Sequence, residues 1–328
     1  MPSKIEISHR TIIFTVAFLI SLWLVWQIRQ IIVGLFVAMV LMAALNPAID
    51  KMEKMKIPRV LGIILIYILI ILVVGIVIAG VIPPLIDQTS NLVAKIPELI
   101  EDLGIPSIDQ RIVESQIQQL GSIPANLFKF SLTIVSSLVG ALAVLIIAFY
   151  LLLERKNLNR YLHILFGGDG EARAEKFIDQ VEKKLGGWVR AELISMAVIG
   201  VMAYLGLRLL GIDFALPLAL LAGIFEIVPN IGPVASSIPA ILAGLAISPL
   251  MALAVAALYF LIQQVESSFI CPQIMSKETG VNPLVTILSL AIGFKLGGVM
   301  GAILAIPVVL LAQVIASEVF ASDRFKQL

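Results

Sequence analysis

Glu226 stands three residues ahead of Pro229 in an otherwise apolar stretch, and the run Pro229, Asn230, Ile231, Gly232, Pro233 follows it. Proline has no N–H to give, so carbonyls of the turn before it lose their helical donors. Those carbonyls and the Glu226 carboxylate can coordinate a cation or accept hydrogen bonds from a hydroxylated solute. The blander reading is a proline-kinked turn whose carbonyls meet a neighbouring helix. Gln263 and Glu266, three positions apart on one helical face, make a second polar cluster. It reads as a binding pair, or as an interfacial pair near the end of a span. Lys295 lies beside Gly297 and Gly298. Its ammonium can meet a substrate or neutralise Glu226 or Glu266, or else snorkel to the lipid headgroups. Glu226, Pro229, Asn230, Gly232, Pro233, Gln263, Glu266 and Lys295 are therefore the candidate substrate- or ion-binding residues.

Other chemistries find little support. His9 and His163 sit in polar segments without the partners of a metal site, and the single cysteine, Cys271, excludes an intrachain disulfide. No phosphate-cradling loop, catalytic triad or metal-ligand spacing is present, which argues against an enzyme and against an ATP-driven pump within this chain. Arg190 and Glu192 read as anchors at a membrane edge, and Gly297, Gly298 and Gly301 as close-packing positions. A net charge of +1 gives no basic surface for nucleic acid.

The elements that must hold these residues are membrane helices. Of 328 residues 60% are hydrophobic and 14% charged, against roughly a quarter charged in a soluble domain. Residues 11–28, 31–45, 60–83 and 131–153 read as spans, with Asn46-Pro47 and Pro83-Pro84 as stops. The first run follows Lys4 and Arg10 as a signal peptide would. It continues past Trp23 and Trp26 with no small-residue cleavage site, so it reads as a retained span. Residues 85–129 turn polar and periodic, with Leu92, Ile96, Leu99 and Leu103 at helical spacing, and 154–187 carry apolar stripes suited to a membrane surface. The expected plan is N-terminal spans over 1–83, extracytoplasmic amphipathic helices over 84–130, and a span over 131–153. Cytoplasmic amphipathic helices over 154–188 and a core of broken helices over 189–328 complete it.

Charge sets the orientation. The 46–59 loop carries Lys51, Lys54, Lys56 and Arg59, and the 154–188 stretch is basic from Arg155 to Lys184, whereas 84–130 holds only Lys95, Arg111 and Lys129. Basic loops belong in the cytoplasm, which places both termini there. Further on, 189–210 and 251–270 read as spans, while 214–247 is interrupted at 229–233 and 284–317 at 295–298 and again near Pro307. Each arm of the first interrupted stretch is about 25 Å long, short for a hydrocarbon core of about 30 Å. Re-entrant hairpins are expected, one entering from each side. Opposed hairpins flanking one span have the layout of an inverted repeat, which houses midplane sites in secondary transporters. The expected fold is an all-α integral membrane protein, a polytopic helical bundle with two interrupted, re-entrant hairpins in its carboxyl-terminal half.

The run Glu226-Ile227-Val228-Pro229-Asn230-Ile231-Gly232-Pro233, followed by Ile238-Pro239-Ala240, resembles the signature of the autoinducer-2 exporter family of permeases. Gln264-Val265-Glu266, Pro272, Asn282-Pro283, Gly297-Gly298, Gly301 and Ala305-Ile306-Pro307 resemble that family too, and the likeness covers nearly the whole chain. It implies a transporter of a prokaryotic cytoplasmic membrane, homo-oligomeric, working on a small polar solute or a monovalent cation. Members are assigned either export of autoinducer-2 or sodium (lithium)/proton antiport. No cofactor is expected beyond a coupling ion, Na+ or H+. A third reading is a non-transporting scaffold whose 85–129 region binds a protein outside the cell.

Overall fold

Apolar side chains run almost unbroken through the first hundred residues, and the chain responds with long helices. In a bilayer only a helix satisfies every backbone group within its own segment. The computed structural model describes residues 9–102, 138–229, 231–275 and 280–321, and among them there is no strand. Helices α1 (His9–Gln27), α2 (Arg29–Lys54), α3 (Arg59–Asp102) and α4 (Leu138–Glu154) come first. A single 3-10 turn, Arg155–Asn157, leads to α5 (Leu158–Phe166) and α6 (Gly168–Leu209). Next are α7 (Ala215–Phe225), α8 (Gly232–Leu245), α9 (Pro249–Val265) with a π-helical extension Glu266–Met275, and α10 (Pro283–Ala321). Among the described residues six helices are long and apolar enough to cross a membrane. The expected helices at 103–130, residues 131–137 and Asn230 lie outside the described residues.

Three expected boundaries move. Helix α2 passes through Pro47 to Lys54, and α3 passes through Pro83, Pro84 and Pro97, so these prolines do not stop their helices. The stretch expected as surface helices over 154–188 is mostly the first half of α6, continuous with the span that follows. Pro47 shows how an interior proline is accommodated. It leaves the carbonyl of Ala43, four residues earlier, without its helical donor. Ala43 is buried, and a Cβ built on Gly186 of α6 would fall on that same carbonyl oxygen. The glycine lets the α6 backbone close over the oxygen that the proline frees. Gly186→Ala is therefore expected to lower the stability of the purified protein by about 1–3 kcal/mol, measured by thermal melting in detergent. Gly75→Ala, whose Cβ meets nothing within 4 Å, should hold or raise it.

The carboxyl-terminal half contains two reversals. Helices α7 and α8 have 11 and 14 residues, about 17 and 21 Å, and neither reaches across a core of about 30 Å. A Cβ on Gly232 would fall on the Phe225 carbonyl, so the chain turns back tightly between them. Helix α10 is broken at Gly297 (φ −138°, ψ 16°) and Gly298 (φ 60°, ψ −144°). The second conformation is open only to glycine without strain. A Cβ on Gly293 would meet the Gly301 carbonyl, and the reverse also holds. In a straight helix those residues would be about 12 Å apart, so the arms 283–296 and 299–321 fold onto each other. Val228 at the first turn packs with Leu290, Ala302 and Ala305, which joins the two hairpins. The largest apolar core gathers α6, α7 and α9 around Ala203, Leu207, Leu218 and Val255.

At the other end of α2 an ionic network ties the early helices together. The Arg59 side chain is 8% exposed. It donates to Asp50 Oδ1 at 2.6 Å, Glu53 Oε2 at 3.3 Å, Asn46 Oδ1 and the Leu152 carbonyl at 2.8 Å. Glu53 also pairs with Lys156, and Arg155 pairs with Asp179 at 2.6 Å and with Glu182. Arg59 and Arg155, two of the basic residues on which the expected orientation rests, are thus also struts between α2, α3, α4 and α6.

Candidate functional site

The site is assembled by two small-residue contacts and two matching polar stripes. Helices α6 and α7 run antiparallel through the short turn between them, and they cross where Gly200 meets Ala219 and Gly223. A Cβ on Gly223 would stand 2.8 Å from the Met196 carbonyl oxygen, so Met196 and Gly223 lie level. Glu192 is one turn from Met196 and Glu226 three residues beyond Gly223, both in the same direction along the pair. Close backbone approach at the glycines therefore brings the two carboxyl groups to one depth.

Trp188, Glu192 and Ser195 are spaced i, i+4, i+7 along α6, and Tyr259, Gln263 and Glu266 repeat that spacing along α9 into its π-helical end. That spacing puts each trio on one face. Glu266 begins the π-helix, an insertion often found where a helix carries function. Glu226 caps the C-terminus of α7 at the tip of the first hairpin. The carboxylates are 3%, 2% and 6% exposed at Glu192, Glu226 and Glu266, so three acids from three elements meet out of water.

The Glu226 and Glu266 carboxyl groups come close enough to act directly on each other, and Gln263 Nε2 donates to Glu266 Oε2 at 3.1 Å. Two carboxyl groups can hydrogen-bond each other only when one of them holds a proton. Around the pair the acceptors outnumber the donors. Both Glu192 oxygens, Glu226 Oε2 and Gln263 Oε1 are buried without a hydrogen-bond partner, as is the Tyr259 hydroxyl. Among the described residues, the charged groups acting on the three carboxylates are the carboxylates themselves. Among the described residues no His, Cys, Asp and Glu cluster has the closeness of a metal site.

The expected residues divide accordingly. Glu226, Gln263 and Glu266 come together; Gly232 and Pro233 are buried at the hairpin turn, and Pro229 lies within it. Two carbonyls of that turn are occupied: Phe225 O accepts from Val228 N at 3.1 Å and Val228 O from Gly232 N at 2.9 Å. The chemistry therefore rests on carboxylates more than on freed carbonyls. Lys295 is exposed near the break in α10 and is not among the groups that act on the carboxylates. Glu192, expected as a membrane-edge anchor, is instead part of the cluster. The signal was its i, i+4, i+7 spacing with Trp188 and Ser195, matched by the trio on α9; the neighbouring Arg190, which is exposed, drew attention to the opposite face.

Comparison with known proteins agrees with this architecture. The sequence profile of the AI-2E family transporters matches residues 12–321. The chain is 25% identical over 301 residues to the Bacillus subtilis (strain 168) protein YrrI, provisionally named a transport protein, covering 87% of this chain and 85% of that one. It is 27% identical over 310 residues to the AI-2 transport protein TqsA of Escherichia coli (strain K12), with 87% and 85% covered. A shorter likeness, 36% over 109 residues, links 33% of this chain to 31% of YhhT of the same E. coli strain, also provisionally named a transport protein. A helical, multi-pass membrane architecture and a profile match across nearly its whole length show that this chain belongs to the AI-2E transporter family.

Proposed function

We propose that this transporter is a proton-coupled secondary transporter of a prokaryotic cytoplasmic membrane that exports a small polar solute of the autoinducer-2 type. In this reading the Glu226–Glu266 pair carries the coupling proton, and both termini face the cytoplasm. The observation that carries it is the meeting of two buried carboxyl groups from different elements at the tip of the first hairpin, an arrangement in which the two acids can share one proton. The name of the relative TqsA supplies the cargo class, and the surplus of buried acceptors suits a solute that brings hydroxyl donors.

A second reading, sodium (lithium)/proton antiport, is favoured by the same surplus of acceptors, because unpartnered carboxylate oxygens attract a cation as well as a hydroxyl. One experiment separates the two. Purified protein in liposomes, under an imposed pH gradient, is expected to move autoinducer-2 faster than empty liposomes and to leave sodium at the leak rate. Sodium flux without autoinducer-2 flux would replace the first reading by the second. Neither flux would sink both.

A further inference from the structure

Glu192 is unexplained by the paired carboxyls alone. It is 3% exposed, it comes from a different helix, and both of its oxygens are buried without a hydrogen-bond partner. Burying a polar group so completely is costly unless something answers it. The elements packed around it offer few candidates. Glu226 faces it from the end of α7 and Glu266 from the π-helical end of α9. Tyr259, the other titratable group on the α9 stripe, has a hydroxyl that is itself unpartnered. Val40 and Ala43 of α2 and Ile306 and Leu310 of α10 form the apolar part of the contact with this stretch of α6. On α6 itself Lys184 donates to Gln313 at 3.3 Å, and Arg190 is exposed. What Glu192 faces, then, is the Glu226–Glu266 pair.

We propose that Glu192 is a third proton-exchanging residue of the coupling site, which trades a proton with the Glu226–Glu266 pair. The inference rests on the reading of that pair as the coupling site. In the exchange a side-chain rotation first brings a Glu192 oxygen, which has no hydrogen-bond partner at rest, against the pair; a carboxyl O–H of the pair then breaks as an O–H forms on Glu192. The donor becomes a carboxylate, Glu192 becomes neutral, and no electron is transferred. The consequence is a site with two places to put one proton, so the tip of the first hairpin can release it while the site as a whole keeps it.

Infrared difference spectroscopy of the full chain in liposomes, recorded across steps of pH, tests this without knowledge of the cargo. The carbonyl stretch of protonated carboxylic acids is expected to change in the wild type. Glu226→Gln should remove one component. Glu192→Gln should remove another and also alter the component assigned to the pair, and Glu192→Asp should restore it at a displaced frequency. A folded Glu192→Gln protein whose difference spectrum matches the wild type overturns the proposal. If Glu192→Gln does not assemble, Glu192→Asp decides: an undisplaced band overturns the proposal equally. The coupling reading stands or falls separately, on the flux of Glu226→Gln. Lost flux in that variant beside a silent Glu192 would reject only the third proton site.

Discussion

Replacing Glu226 by Gln is expected to bring proton-driven flux down to the level of empty liposomes while the protein assembles normally. Glutamine keeps the length of the side chain and can still hydrogen-bond Glu266, so the tip of α7 need not move. What it cannot do is give up or accept a proton in exchange with Glu266. Exchange of solute for solute at equal pH needs no net proton release. Under the export reading it should persist in part, since an amide can still bond a hydroxyl. Under the antiport reading both activities should vanish, because the cation loses its charged partner. Normal rates in both assays would make Glu226 a structural cap of the hairpin and remove it from the coupling site. Gel filtration and thermal melting of the variant guard against a trivial loss of fold. The expected outcome is an unchanged elution volume, because burying a neutral amide costs less than burying a carboxylate.

Much of the fold was legible because hydrophobic length is a strong signal. Uncharged runs such as 60–83 leave little alternative to a membrane helix, and the hairpins announced themselves through Pro229, Gly232, Pro233, Gly297 and Gly298. Prolines misled where a neighbour could absorb their defect. Pro47 ends a helix only if the carbonyl of Ala43 has nowhere to go, and the closeness of Gly186 to that oxygen belongs to a partner 139 positions later in the chain, which no local pattern reveals. The join between the 154–188 stretch and the following span was hidden for a related reason. An amphipathic face that packs on α2 and α10 through Val181, Leu185 and Trp188 has the same periodicity as one lying on lipid.

The site was half legible. Glu226 and Glu266 stood out because a carboxylate at membrane depth is costly unless it is paired or used. Glu192 did not, because it sits beside Arg190 near the edge of its apolar run, where anchoring is the ordinary explanation. Its inward direction depends on the crossing of α6 and α7 at Gly200 and Gly223, a tertiary fact. Lys295 is the opposite case. Its glycine neighbours suggested a binding turn, but the break in α10 leaves it exposed, and the acids find their partners among themselves.

Arg59→Ala is expected to be the most damaging change outside the site, with a loss of about 2–3 kcal/mol of stability. One guanidinium satisfies two acids, an amide and the last turn of α4 through the Leu152 carbonyl, so its removal leaves several acceptors unanswered at once. The full penalty for breaking a buried ion pair is reduced here because Asp50 is 46% exposed and recovers its hydration. Arg59→Lys separates charge from geometry. An ammonium can hold Asp50, but it lacks the planar fork that reaches Asn46, Glu53 and Leu152 together, so an intermediate loss is expected. Thermal melting in detergent at low and high salt measures both. If the lysine variant matches the wild type, the interaction is simple charge neutralisation; if alanine also matches, the network contributes nothing to holding α3 and α4 on α2. Because this cluster lies on different helical segments from the three carboxylates, transport per folded molecule should survive in Arg59→Lys. That outcome distinguishes a strut of the early helices from a part of the transport site.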